Sequence, residues 1–108
     1  MAVPVSIIIC TRDHREALAR TLDTLARLDV PAGLAPEVLV VDNGSTDGTA
    51  DWARTVHLPN LPVRVVEAPR PGQAHARNTG LAAARGEIIL FTDDDVDVPA
   101  NWLAAMCA

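Results

Sequence analysis

The chain has 108 residues, room for one domain, with 49% hydrophobic and 21% charged residues, the balance of a folded rather than a disordered protein. A formal charge of −5 argues against non-specific nucleic-acid binding, which needs a basic surface, but a divalent cation can still bridge carboxylates to phosphates. The two cysteines, Cys10 and Cys107, suggest neither a disulfide framework nor a zinc site and are read as free thiols.

Four short β-branched runs punctuate the chain: Val5–Cys10, Val38–Val41, Val63–Glu67 and Ile88–Thr92. Most are nearly continuous rather than alternating, as expected of strands buried on both faces of a parallel sheet. Before the second run, Leu18, Leu22, Leu25 and Leu28 form one apolar stripe. Asp13 and Glu16 have capping-box spacing, so the first helix is expected to start near His14 and to end before Pro31. A second helix is expected over Thr49 to Val56, capped by Ser45, Thr46 or Asp47. A third is expected from about His75 to Arg85, stopping at Gly86, and a fourth from Pro99 or Ala100 onward. The alternation predicts an α/β, doubly wound fold with a mostly parallel sheet.

No charged leader precedes the first apolar run, and no stretch approaches the ~20 apolar residues of a membrane span. A cytoplasmic location is the default expectation, with peripheral membrane association left open.

In open α/β sheets, ligands sit beyond the carboxyl ends of the strands. There this sequence places Thr11-Arg12-Asp13, then Asp42-Asn43-Gly44-Ser45-Thr46-Asp47, then Asp93-Asp94-Asp95. Three adjacent carboxylates repel one another, and behind a buried strand they suit a cation with oxygen ligands, Mg²⁺ or Mn²⁺. The plainer alternative is a solvated acidic turn capping the next helix. Asp42 can accept hydrogen bonds from a base or ribose, or it can simply belong to a strand-to-helix turn. Arg77, near the start of the third helix, stands where the helix terminus already favours anions, or it is an ordinary surface arginine. His75 reads more readily as a solvated loop histidine than as a base or ligand.

Together the blocks SIIICTRD, VLVVDNGSTDGT and GQAHARNTGLAAARGEIILFTDDDVDVP, followed by WL, resemble the N-terminal part of family 2 glycosyltransferases, from about Val3 to Leu103. Their order and spacing are far more specific than a lone D-x-D. The resemblance implies a GT-A fold, Rossmann-like and here a partial domain. It implies a nucleotide-diphosphate sugar donor, a UDP-sugar first among them, a Mn²⁺ or Mg²⁺ cofactor, and inversion at the anomeric carbon. By resemblance, Thr11 and Asp13 lie in the loop along the nucleotide, Asp42 reads the base, and Arg77 sits near the nucleotide. Asp93 and Asp95 match the ends of the D-x-D motif, one toward ribose or phosphate and the other on the metal. The triplet allows a one-residue shift, which keeps Asp94 among the candidate metal ligands.

Family members continue well past the D-x-D strand, and the resemblance puts the acceptor site and a carboxylate general base in that later part, so the chain reads as truncated. The acceptor, whether sugar, lipid or protein, is not legible, and apolar surface left open in a partial domain is expected to favour self-association. A non-catalytic nucleotide-binding module, or an inactive fragment, is the main alternative. A calcium site on Asp93, Asp95 and Asp97 would lack the glycine and distal glutamate of an EF-hand. A haloacid-dehalogenase-type phosphatase would carry its motif after the first strand, and a Rossmann dehydrogenase would carry G-x-G-x-x-G there.

Overall fold

A computed structural model of the chain describes residues 2–107. Strands β1 (Val3–Thr11), β2 (Leu34–Asp42), β3 (Val63–Glu67) and β4 (Ile88–Thr92) alternate with helices α1 (Arg15–Leu25), α2 (Thr49–Ala53), α3 (Gln73–Ala83) and α4 (Trp102–Met106). The sheet is parallel throughout, in the order β3-β2-β1-β4. The register places Thr11 beside Asp42 and Asp42 beside Glu67, so three strand ends lie level at one edge. The chain winds outward from β1 to β3 and then crosses back to β4 on β1's other side. That reversal makes the gap between β1 and β4 the topological switch point.

Continuous apolar strands become two cores because successive side chains alternate between faces. Val5, Ile7 and Ile9 join Val38 and Val40 against Leu18, Leu22 and Leu25 of α1, with Ala53 and Leu103 from α2 and α4. Ile8, Leu39 and Val41 face the other way, toward Ala76 of α3. The sheet is thus covered on both sides, as the sequence predicts. Ile7, Ile8 and Ile9 are wholly buried, each contributing about 2 kcal/mol. At Gly80 an added Cβ would stand 2.8 Å from Ile8 Cγ2, so α3 lies closer to the sheet than any larger residue there allows.

Helix boundaries differ from the sequence expectation for specific reasons. The Asp13–Glu16 capping box does not form. Asp13 adopts a left-handed backbone (φ 52°), and its carboxylate accepts instead from the Thr46 N–H at 2.7 Å. Helix α1 ends at Leu25, where Asn60 Nδ2 donates to the Leu25 and Leu28 carbonyls at 3.1 and 3.0 Å. Helix α2 is shorter than expected because Thr55 and Val56 turn back in tighter bonds to Trp52 and Ala53. Helix α3 starts and stops about two residues early, with its last carbonyl, Ala83, accepting from Arg64 at 2.7 Å. Trp102 first bonds back to Pro99, so the helical run of α4 begins only there. Among the described residues no helix is long and apolar enough to cross a membrane.

Candidate functional site: the carboxyl rim of the sheet

The loop after β1 is held on both flanks. On the β2 side, the Asp13 N–H donates to Ser45 Oγ at 2.9 Å, and the Thr46 N–H and hydroxyl donate to Asp13 Oδ1. On the β4 side, Thr11 Oγ1 donates to Asp94 Oδ2 at 2.8 Å, and His14 Nδ1 lies 3.2 Å from the same oxygen. Residues 83 and 80 positions apart in sequence therefore meet through one carboxylate. The turn carrying the aspartates is fixed from behind as well. Thr21 Oγ1 donates to the Val96 carbonyl at 2.9 Å, and Thr24 Oγ1 accepts from the Val98 N–H at 3.1 Å.

Asn43 performs the same task between β2, β3 and α3. Its Nδ2 donates to the Ala68 and Arg70 carbonyls, each at 2.8 Å, and its Oδ1 accepts from the Gly72 N–H at 3.2 Å. Every hydrogen-bonding direction of that amide but one is used, which sets where α3 begins. Asp47 orders the next turn, accepting from the Thr49 N–H at 3.1 Å and from the Thr49 hydroxyl, which lowers the Asp47 pKa.

Between β1, β4 and the start of α3 lies a cleft of about 270 Å³ lined by Cys10, Gln73, Arg77, Phe91, Thr92, Asp93 and Val96. It occupies the switch point. The Arg77 guanidinium sits 5.8 Å from the centre of the Phe91 ring, which steadies the cation over an aromatic face while leaving its N–H groups for a ligand. Burial pushes the Cys10 thiol pKa up, against the lowering influence of Arg77, so this wall of the cleft stays neutral.

The sequence candidates are thus gathered at one edge, in unequal states. Thr11 is buried and bonded to Asp94. Asp13 is exposed but committed to Thr46. Asp42 is only 3% exposed, with its carboxylate turned into its own loop toward the Ser45 N–H at 3.3 Å. Arg77 and Asp93 face the cleft, and Asp93 and Asp95 are exposed. Of the aspartate triplet only Asp94 is hydrogen-bonded among the described residues. His75 is absent from the cleft lining. The sequence puts Asn43 at this edge and His14 at a helix start without giving either a task, and it gives no part to Thr21 or Thr24. Thr21 alone left a signal, as a hydroxyl falling on the apolar stripe of α1.

Among the described residues no three Asp, Glu, His or Cys side chains converge, so a calcium cage of Asp93, Asp95 and Asp97 is not formed. One or two exposed carboxylates beside an open cleft that also carries an arginine is nonetheless the donor set that Mg²⁺ and Mn²⁺ take when a diphosphate and water complete the shell. The residues present fit such an ion on that basis.

A family profile described as glycosyl transferase family 2 matches residues 6–108. Over 101 residues the chain is 37% identical to the glycosyltransferase AglE of Haloferax volcanii, covering 92% of this chain and 33% of AglE. Among solved structures, the Pyrobaculum calidifontis mannosyltransferase PcManGT, in complex with GDP-Man and Mn²⁺, is similar at TM-score 0.81 and 37% identity, over 96% of this chain and 31% of that one. S. aureus TarS in complex with UDP-GlcNAc is similar at TM-score 0.79 and 30% identity, over 99% and 30%. The chain spans a third or less of the length of these proteins. Profile, identity and a shared GT-A architecture agree: this chain belongs to glycosyl transferase family 2.

Proposed function

We propose that the chain is the donor-binding half of a glycosyltransferase that uses a nucleotide-diphosphate sugar, a UDP-sugar in the first instance, with Mn²⁺ or Mg²⁺. The observation that carries this reading is the cleft at the switch point, where Arg77 and the start of α3 face Asp93 across a gap bordered by β1 and β4. Arg77 and the free N–H groups at the start of α3 take the charge of the diphosphate. Thr11 and Asp13, clamped by Asp94 and Thr46, give the nucleotide a rigid wall, so little ordering is left to be done on binding. Asp42 braces that wall through the Ser45 N–H on Oδ1, and its other carboxylate oxygen, which accepts no hydrogen bond among the described residues, is left for the base.

Asp95 would hold the metal, with Asp93 toward ribose or phosphate. When bound, the ion supplies neutralisation of the diphosphate as it departs. Inversion at the anomeric carbon, by attack of an acceptor hydroxyl, completes the proposed reaction, and a carboxylate base for that hydroxyl is proposed outside this segment. Complexes of PcManGT with GDP-Man and Mn²⁺ and of TarS with UDP-GlcNAc support the donor class.

The test is a calorimetric panel of UDP-, GDP- and dTDP-sugars with and without Mn²⁺. Metal-dependent binding, tightest for a UDP-sugar, is expected. Tighter binding of a GDP-sugar would reassign the base, and metal-independent or undetectable binding of all three would overturn the proposal.

A further inference from the structure

The three consecutive aspartates look interchangeable in sequence, but the fold treats the middle one differently. Asp94 is turned inward, its side chain 13% exposed, whereas Asp93 and Asp95 are exposed. Its Oδ2 accepts from the Thr11 hydroxyl and faces His14 Nδ1, the residue immediately before α1. Asp13 lies between those two positions, in a left-handed conformation that a non-glycine residue keeps only when its surroundings enforce it. The enforcement comes from two sides: Ser45 and Thr46 grip Asp13 from β2, and Asp94 grips Thr11 and His14 from β4.

We propose that Asp94 is a positioning residue, the latch that joins the β1 loop to the aspartate turn, and that it leaves cation binding to its neighbours. Asp94 has Oδ2 already committed to a hydroxyl and an imidazole and only Oδ1 left for a metal, and withdrawing the carboxylate would release both the nucleotide wall and the turn carrying Asp93 and Asp95. The latch also assigns a part to His14, which fastens the start of α1 to the same oxygen. The assignment rests on the donor-site reading for its effect on cation affinity, though not for its effect on the loop.

Two roles for Asp94 separate cleanly in isosteric and truncating variants. An asparagine still offers Thr11 an oxygen acceptor but is a poor ligand for a hard cation, whereas an alanine removes both functions. Mn²⁺ affinity by electron paramagnetic resonance and amide hydrogen exchange at Asp13 and Thr46 are measured for wild type, Asp94→Asn, Asp94→Ala and Asp95→Asn. Asp94→Ala is expected to lose protection at both amides and to weaken Mn²⁺ binding about tenfold, the cost of removing a group that orients ligands. Asp94→Asn is expected to keep the protection and to weaken Mn²⁺ binding much less than Asp95→Asn does. Exchange protection unchanged in Asp94→Ala would overturn the latch. An Asp94→Asn variant as deficient in Mn²⁺ binding as Asp95→Asn would make Asp94 a ligand and would overturn it equally. If the wild-type chain binds no Mn²⁺, the donor-site reading fails, and the exchange comparison alone decides the latch.

Discussion

At the amino end of the sheet, Glu37 accepts from Ser6 Oγ at 2.6 Å, from Arg64 Nε at 2.7 Å and from the Arg85 N–H at 3.1 Å. At the carboxyl end, Asp93 and Asp95 stand exposed, and Asp93 shares its cleft with Arg77, which pairs with no carboxylate among the described residues. The same residue types serve opposite ends. At the base, Glu37 and Arg64 match each other, and the network ties α3's last turn and the start of β4 to the sheet through Arg64 on Ala83 and Gly86 N–H on Ser6. At the rim, backbone and hydroxyl groups are satisfied by Asn43, Thr21 and Thr24, while selected charges are left unmatched. Charge left without a partner on an otherwise well-tied scaffold marks where a charged ligand belongs.

That contrast predicts that base substitutions cost stability and rim substitutions cost binding. The largest loss is expected at Gly86, where an added Cβ would fall 2.4 Å from the Ser6 backbone nitrogen. Gly86→Ala should lower unfolding free energy by about 3 kcal/mol, measured by denaturant titration. Glu37→Ala, which strips the acceptor from four donor groups on three residues, should cost about 2 kcal/mol by the same measurement. A loss under 0.5 kcal/mol there would show that the base network is ornamental.

Acid separates the two ends of the sheet further. Burial works against ionisation of Glu37, but hydrogen bonds from Arg64, Ser6 and the Arg85 N–H outweigh it and hold its pKa at about 2, below the usual 4.5. A carboxyl depressed in the folded state stabilises fully above the unfolded value and loses that contribution as pH falls through the folded one. Wild type should therefore lose stability between pH 4.5 and about 2 more steeply than Glu37→Gln. Parallel curves would contradict the network's role. The smallest effect is expected at the rim: Asp93→Asn should change stability by a few tenths of a kcal/mol, upward if relief of repulsion from Asp94 and Asp95 dominates. A loss comparable to Glu37→Ala would erase the distinction between the two ends.

Much of the architecture was legible because its signals are local. Continuous β-branched runs gave β1 to β4, and the alternation of strand and helix gave a doubly wound sheet with its polar residues at one edge. The edge itself followed from position in the chain: Thr11, Asp42 and Asp93 each stand where a strand ends. What escaped depends on contacts between distant segments. Asp13 had the spacing of a helix cap, but its carboxylate is claimed by Thr46, 33 positions away. Nothing in the sequence singles out Glu37, just before the second apolar run, or Arg64, and their pairing depends on β2 and β3 lying side by side. Nothing local distinguishes Asp94 from its neighbours. Its inward turn follows only once β1 and β4 are adjacent, a crossover that spacing does not reveal.

In the proposed donor site, the unmatched rim charges hold a metal-bridged nucleotide diphosphate. That arrangement is tested most directly by isothermal titration of UDP into the wild-type chain and into Asp95→Ala, each with and without Mn²⁺. Tight binding is expected only for wild type with Mn²⁺, with no gain from the ion in the variant. Equal affinity in all four titrations would contradict it.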